Sequence, residues 1–67
     1  MKIKTKKDIK KYRDKLNMTQ KELSEATGIH IPDISNLENG RGQLWPDWKK
    51  RIEKVFNNKL KEDKNAD

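Results

Sequence analysis

The sequence predicts an all-α fold, a compact bundle of four to five short helices, and three observations predict it. Apolar residues recur three and four positions apart along most of the chain, which is the period of one helix face. Residue types that start and stop helices separate these stretches. The length of 67 residues suits one domain with a small core, so residues 1–67 are expected to form a single domain.

The first helix is predicted to run from Lys6 to Leu16. Thr5 and Asp8 have the spacing of a capping box, in which a hydroxyl and a carboxylate bond free amides at a helix start. Arg13 lies on the inward side of this helix and needs a partner, because a buried charge without one is costly. The inward stripe comprises Ile9, Tyr12, Arg13 and Leu16.

A second helix is predicted over about residues 20–27. Thr19 and Glu22 form another capping-box pattern at its start, and Asn17 suits the left-handed cap that ends the helix before it. Gly28 is expected to end the second helix, because glycine adopts the left-handed conformation without steric cost.

The third helix is predicted over about residues 31–38. Pro32 is tolerated in the first turn, where its missing N–H breaks no hydrogen bond, and Asn39-Gly40 marks the end. Two short helices joined by a glycine turn form a helix-turn-helix pattern. The inward positions of this pair are expected to be Leu23, Ala26, Ile29, Ile34 and Leu37.

The fourth helix is predicted to begin at Pro46-Asp47, with Asp47 as the N-cap. Trp48 opens its apolar stripe and is expected in the core, whereas Trp45 either caps the core or lies exposed. The last residues, 62–67, lack apolar periodicity and are expected to fray. The apolar stripe comprises Trp48, Ile52, Val55 and Phe56, with Leu60 as an extension.

Positive charge is concentrated on both sides of the predicted helix-turn-helix. Residues 1–15 carry eight Lys/Arg and two acids (8 − 2 = +6), and their first four residues form a short basic arm, 1–4. Residues 16–40 carry one Lys and four acids (1 − 4 = −3), while residues 41–54 carry five and two (5 − 2 = +3). Such flanks attract phosphates, although a solvated lysine-rich surface would have the same composition.

Several classes of function are disfavoured by composition. The chain has no cysteine and one histidine, His30, so we expect no metal site, no cofactor and no enzyme activity. There is also no glycine-rich phosphate loop and no evident small-molecule site. No apolar run is long enough for a membrane span, and the basic N-terminus lacks the apolar segment of a secretory signal. A cytoplasmic protein is expected.

A string of residues at fixed spacings runs through the two central helices: Gln20, Glu22-Leu23, Ser24, Gly28, Ile34-Ser35 and Leu37-Glu38-Asn39-Gly40. The pattern extends back to Arg13 and Leu16 and forward through Pro46, Ile52 and Phe56. It resembles the lambda repressor and Cro family of Xre-type helix-turn-helix regulators, over most of the chain. The resemblance implies sequence-specific binding to double-stranded DNA, with the third helix in the major groove.

The family's base-reading positions match Ile31, Pro32, Asp33 and Asn36 in this chain. Ile31 and Pro32 suit thymine methyl groups, Asp33 suits a cytosine amino group, and Asn36 suits an adenine. The alternatives are that Ile31 belongs to the core and that Asp33 is simply a first-turn acid favoured by the helix dipole.

By the same resemblance, Gln20 bonds a phosphate and supports the recognition helix, and Arg41 and Gln43 lie in a loop along the DNA backbone. The alternative for Gln20 is a plain helix former. The resemblance also implies an ion pair between Arg13 and Glu38. Weaker phosphate candidates, which are more often just solvated, are Lys4, Lys6, Lys7, Lys49, Lys50 and Arg51.

The function implied is a Cro-like repressor of bacterial or phage origin, with a homodimer on DNA as one option. A fifth helix that helps some members dimerise is not expected here. Two alternatives remain: a nonspecific basic nucleic-acid-binding protein, and a protein-interaction or antitoxin-like module on the same fold. The operator, the target gene, any inducer and the choice between repression and activation do not follow from the sequence.

Overall fold

The structure, a computed structural model, describes the backbone of residues 2–65 and the side chains of residues 2–61. This part of the chain contains four helices and no strand: α1 (Asp8–Lys15), α2 (Gln20–Thr27), α3 (Ile31–Glu38) and α4 (Pro46–Asn65). Helix α2 packs against α3 and α4, and α1 packs against the same two helices. The all-α bundle predicted from the sequence is therefore confirmed, with four helices.

One core joins all four helices. Phe56 of α4 is fully buried and meets Tyr12 of α1 edge to face, with ring centroids 6.2 Å apart. Trp48 packs against the core from its edge, while Trp45 lies outside and is 49% exposed. The buried apolar side chains are Ile3, Ile9, Leu16, Met18, Leu23, Ile29, Ile34, Leu37, Ile52 and Phe56.

Helix α1 is shorter than predicted, because residues before Asp8 form a tighter turn. The amide of Asp8 donates to the backbone carbonyl of Thr5 at 3.1 Å, and Lys7 occupies the N-cap position without a side-chain cap. The predicted capping box at Thr5 is thus only half formed: the carboxylate of Asp8 accepts from the amides of Thr5 and Lys4, each at 3.0 Å. Left-handed Asn17 (φ 55°) then follows the helix, as predicted.

Two inward positions differ from the prediction. Ala26 is exposed, and Thr27 takes the inner face of α2 one turn after Leu23. The hydroxyl of Thr27 donates to the Leu23 carbonyl at 2.7 Å and accepts from the Ile29 amide at 3.2 Å, so its burial leaves no polar atom unpaired. Two hydrogen bonds thus allow a polar residue to replace the expected alanine.

Helix α4 begins at Pro46, two residues earlier than a cap at Asp47 requires. The carbonyl of Trp45 accepts the first helical bond, from Lys49 at 2.9 Å, which makes Trp45 the N-cap. Asp47 instead lies in the first turn and pairs with Arg51 at 3.0 Å. The helix continues to Asn65, so it includes residues 62–65 of the tail that was predicted to fray. Residues 66 and 67 of that tail lie outside the described residues.

The N-terminal segment is anchored rather than a free arm. Ile3 is 1% exposed within the core, and its amide donates to Oε2 of Glu53 at 2.8 Å. Lys2 and Lys4 on either side are exposed. Sequence reasoning missed this anchor because a single isoleucine among lysines shows no periodicity.

Candidate nucleic-acid interface

Helix α2, which leads into the turn before α3, is fixed at both ends by local hydrogen bonds. The hydroxyl of Thr19 accepts from the amide of Glu22 at 3.0 Å, and the carboxylate of Glu22 accepts from the amide of Thr19 at 3.1 Å. Both halves of this predicted capping box are therefore present. Gly28 ends α2 with φ 79°, and its amide donates to the carbonyl of Ser24 at 2.8 Å. These contacts set the direction in which the chain enters α3.

Helix α3 has one buried side and one open side. Ile34 and Leu37 are buried against α1 and α2, whereas Ile31, Pro32 and Asn36 are exposed. Ile31 is 41% exposed, so the alternative that places it in the core is wrong. The open side therefore presents the base-reading candidates together.

Asp33 is half-buried in the first turn of α3. Its amide donates to the carbonyl of His30 at 3.0 Å, while its carboxylate has no hydrogen bond or ion pair within residues 2–61. His30 occupies the N-cap position without a side-chain cap bond. The Asp33 carboxylate is thus free to accept a hydrogen bond from a ligand, as well as to interact with the helix dipole.

A polar cluster behind α3 joins it to the two preceding helices. Nε of Arg13 donates to Oε2 of Glu38 at 2.8 Å and Nη2 donates to Oε1 at 3.1 Å, a bidentate contact. Nη1 of Arg13 donates to the carbonyl of Met18 at 2.9 Å. The side chains of Arg13 and Glu38 are only 12% and 4% exposed. The hydrogen bond to Glu38 raises the pKa of Arg13, against the effect of burial.

Gln20 belongs to the same cluster. Its Nε2 donates to Oε1 of Glu38 at 3.0 Å, so the first residue of α2 contacts the last residue of α3. This contact supports α3 directly. The second hydrogen of Nε2 and the carbonyl oxygen of Gln20 are still available to a ligand.

The loop between α3 and α4 holds Arg41 and Gln43 at the surface. Gly40 and Gly42 adopt positive φ angles of 80° and 75°, and the amide of Arg41 donates to the carbonyl of Asn36 at 2.7 Å. This bond closes the end of α3 and directs Arg41 away from the core.

Two other predicted phosphate candidates have partners inside the protein. Nζ of Lys6 donates to the carbonyl of Gly42 at 2.6 Å. Nη1 of Arg51 donates to the carbonyl of Thr27 at 3.3 Å, and Nη2 pairs with Asp47. Arg51 therefore closes the C-terminal end of α2, where a cation interacts favourably with the helix dipole.

The described residues include no metal-ion cluster and no membrane-crossing helix. Among them, no three His, Cys, Asp or Glu side chains are grouped so that they could hold a metal ion. No helix within that part of the chain has the length and apolar character to cross a membrane.

Comparison with known families places the helix-turn-helix region within a family. A family model described as "Helix-turn-helix" matches residues 9–47, more than half of the chain. The matched region begins in α1, includes all of α2 and α3, and ends in the first turn of α4. No curated protein and no solved structure matches the chain.

Proposed function

Because the chain belongs to the helix-turn-helix family of lambda repressor and Cro (Xre-type) DNA-binding regulators, we propose that it is a sequence-specific transcriptional repressor. The observation that carries the proposal is the open face of α3: Ile31, Pro32 and Asn36 are exposed there and Asp33 is half-buried, while the other side of the helix is buried. In helix-turn-helix proteins such a helix enters the major groove.

The proposed base contacts follow from side-chain chemistry. Ile31 and Pro32 contact the methyl groups of thymine, because neither has a side-chain hydrogen-bonding group. Asp33 accepts from the amino group of cytosine, and Asn36 forms two hydrogen bonds with the major-groove edge of an adenine, to N6 and N7. The half-site therefore contains thymine and adenine, with cytosine opposite Asp33.

The proposed backbone contacts surround this face. Gln20 bonds a phosphate at the N-terminus of α2, where free backbone amides also favour an anion. Arg41 and Gln43 bond phosphates from the loop after α3, where both are exposed. These contacts fix the orientation of α3 without reading sequence.

The proposed biological role is repression of transcription by occupying a promoter. The protein would act in the bacterial cytoplasm, whether its gene belongs to the bacterium or to a phage. The single domain would bind as a homodimer, with two copies on half-sites about one DNA turn apart.

Selection from random duplex DNA at about physiological salt tests the proposal. An enriched palindrome supports a dimeric regulator, and an enriched asymmetric site supports a monomer on DNA. Binding that shows no enrichment and disappears as salt rises would instead favour the nonspecific alternative.

One observation favours a second candidate, a protein-interaction module. Ile31 is 41% exposed beside Pro32, and together they form an apolar surface on the open face of α3. The double substitution Arg41→Glu with Gln43→Glu separates the two candidates, because both positions are exposed loop sites. The double variant should abolish DNA binding if the loop lies along the DNA backbone. It should not affect a protein partner that binds at Ile31 and Pro32. Gln20 is unsuitable for charge reversal because it contacts Glu38.

A further inference from the structure

The N-terminal segment and the α3–α4 loop enclose an open groove on one side of the bundle. The groove has a volume of about 500 Å³ and ends at the first turns of α4. Its polar lining includes Lys4, Lys6, Gln43 and Lys49. We call it the lysine groove. It brings together residues as far apart in the sequence as Ile3 and Lys49 (49 − 3 = 46 positions).

Two long-range contacts hold this groove in place. Burial of Ile3 and its bond to Glu53 fix the start of the chain against α4. On the other side, Lys6 donates to the carbonyl of Gly42 and ties the segment to the loop. Lys4 lies between these two attachments, so its backbone position is defined although its side chain is exposed.

Three carboxylates on these segments already have hydrogen-bond or ion-pair partners other than the groove lysines. Asp8 accepts from the amides of Lys4 and Thr5, and these bonds lower the pKa of Asp8. Glu53 accepts from the amide of Ile3, and Asp47 pairs with Arg51.

The lysines of the groove consequently lack carboxylate partners. Within residues 2–61, neither Lys4 nor Lys49 forms an ion pair. Lys6 uses one of its three N–H donors on Gly42 and keeps two for a ligand. The groove therefore presents three ammonium groups that form no ion pair within residues 2–61, and together they favour a polyanion.

We propose that the lysine groove binds phosphodiester groups of the duplex whose bases α3 reads. Gln43 belongs both to the α3–α4 loop and to the lining of the groove, so the two surfaces adjoin. One DNA strand would therefore pass from the loop to Lys4, Lys6 and Lys49. This inference rests on the proposed function. It adds a second set of backbone contacts, supplied by the N-terminal segment and α4.

The test is the salt dependence of affinity for a labelled DNA duplex of about two helical turns, measured between about 50 and 200 mM salt. The groove variant is Lys4→Gln with Lys49→Gln. The control is Lys54→Gln with Lys61→Gln, two exposed α4 lysines that do not line the groove. Both doubles remove two positive charges, and none of the four lysine side chains forms a hydrogen bond or ion pair within residues 2–61. Lys4→Arg with Lys49→Arg keeps the charge.

The slope of log affinity against log salt should become shallower by about 0.9 for each phosphate that is no longer neutralised, hence by about 2 in the groove variant. The control and the arginine variant should keep a slope near that of the wild type. Equal slopes for the groove variant and the control would overturn the inference and leave the proposed function standing. A wild-type protein that binds no duplex would overturn both.

Discussion

Oε2 of Glu38 accepts a hydrogen bond from Nε of Arg13 at 2.8 Å, which joins the last residue of α3 to α1 across 25 positions of sequence. The second carboxylate oxygen accepts from Arg13 and from Gln20, so one buried side chain connects three helices. The orientation of α3 therefore depends on an ion pair that lies behind its open face.

Glu38→Ala should lower the free energy of unfolding by about 3 kcal/mol, because it leaves the guanidinium of Arg13 buried without its partner. Urea denaturation at neutral pH measures the change. Asp47→Ala is the matched control: it removes the acid of an exposed ion pair with Arg51 and should cost no more than about 1 kcal/mol. A loss below about 0.5 kcal/mol for Glu38→Ala would show that the pair is not structural.

Thr19→Ala should cost about 1 kcal/mol of stability, because it leaves the amide of Glu22 without its cap. Thr19→Ser keeps a hydroxyl and should recover most of the loss. Lys21→Ala, at an exposed position in the same first turn, serves as the control and should change little. Equal losses for Thr19→Ala and Lys21→Ala would reject the capping contribution.

Stability should fall as the solution is acidified below the usual pKa of carboxylic acids. Bonds from the Thr19 backbone lower the pKa of Glu22, and bonds from Thr5 and Lys4 lower the pKa of Asp8. A carboxylate with a depressed folded-state pKa stabilises the fold above its unfolded pKa, and the contribution is lost as pH falls through the folded pKa.

Thermal melts between about pH 7 and pH 3 test this dependence. The double variant Asp8→Asn with Glu22→Gln should show a weaker decline than the wild type. Glu25→Gln is the control, because Glu25 is exposed and has no partner within residues 2–61. If the double variant declines as steeply as the control, the two carboxylates are not responsible.

Sequence reasoning predicted best where the determining contacts are local. The bounds of α2 and α3 follow from the capping box at Thr19, the glycine at Gly28 and the Asn39-Gly40 stop, all within a few residues of the helix ends. The outward direction of Asn36 follows from the burial of Ile34 and Leu37 by helical period alone.

The errors arose where distant residues or alternative hydrogen bonds decide the outcome. Burial of Ile3 depends on Glu53, 50 positions away, and the groove depends on the bond from Lys6 to Gly42. Thr27 replaced Ala26 on the inner face because its hydroxyl found two backbone partners, an arrangement that hydrophobicity does not indicate.

The apolar part of the open face of α3 gives the most specific prediction about DNA binding. Ile31 is a large exposed apolar side chain on a helix whose other large apolar residues, Ile34 and Leu37, are buried. If it contacts thymine, then replacing the contacted thymine with deoxyuridine removes one methyl group and nothing else. The loss should be about 0.8 kcal/mol, roughly fourfold in Kd.

Titration of the selected site and its deoxyuridine versions, one thymine at a time, measures this effect. Ile31→Ala should bind the thymine and deoxyuridine sites almost equally, because the side chain that distinguishes them is gone. Asn36→Ala is the matched control, since it should weaken both sites by the same factor and preserve the discrimination. Equal affinity of the wild-type protein for the thymine and deoxyuridine versions, at every thymine position, would contradict methyl recognition. The exposed Ile31 would then be better explained as part of a protein-binding surface.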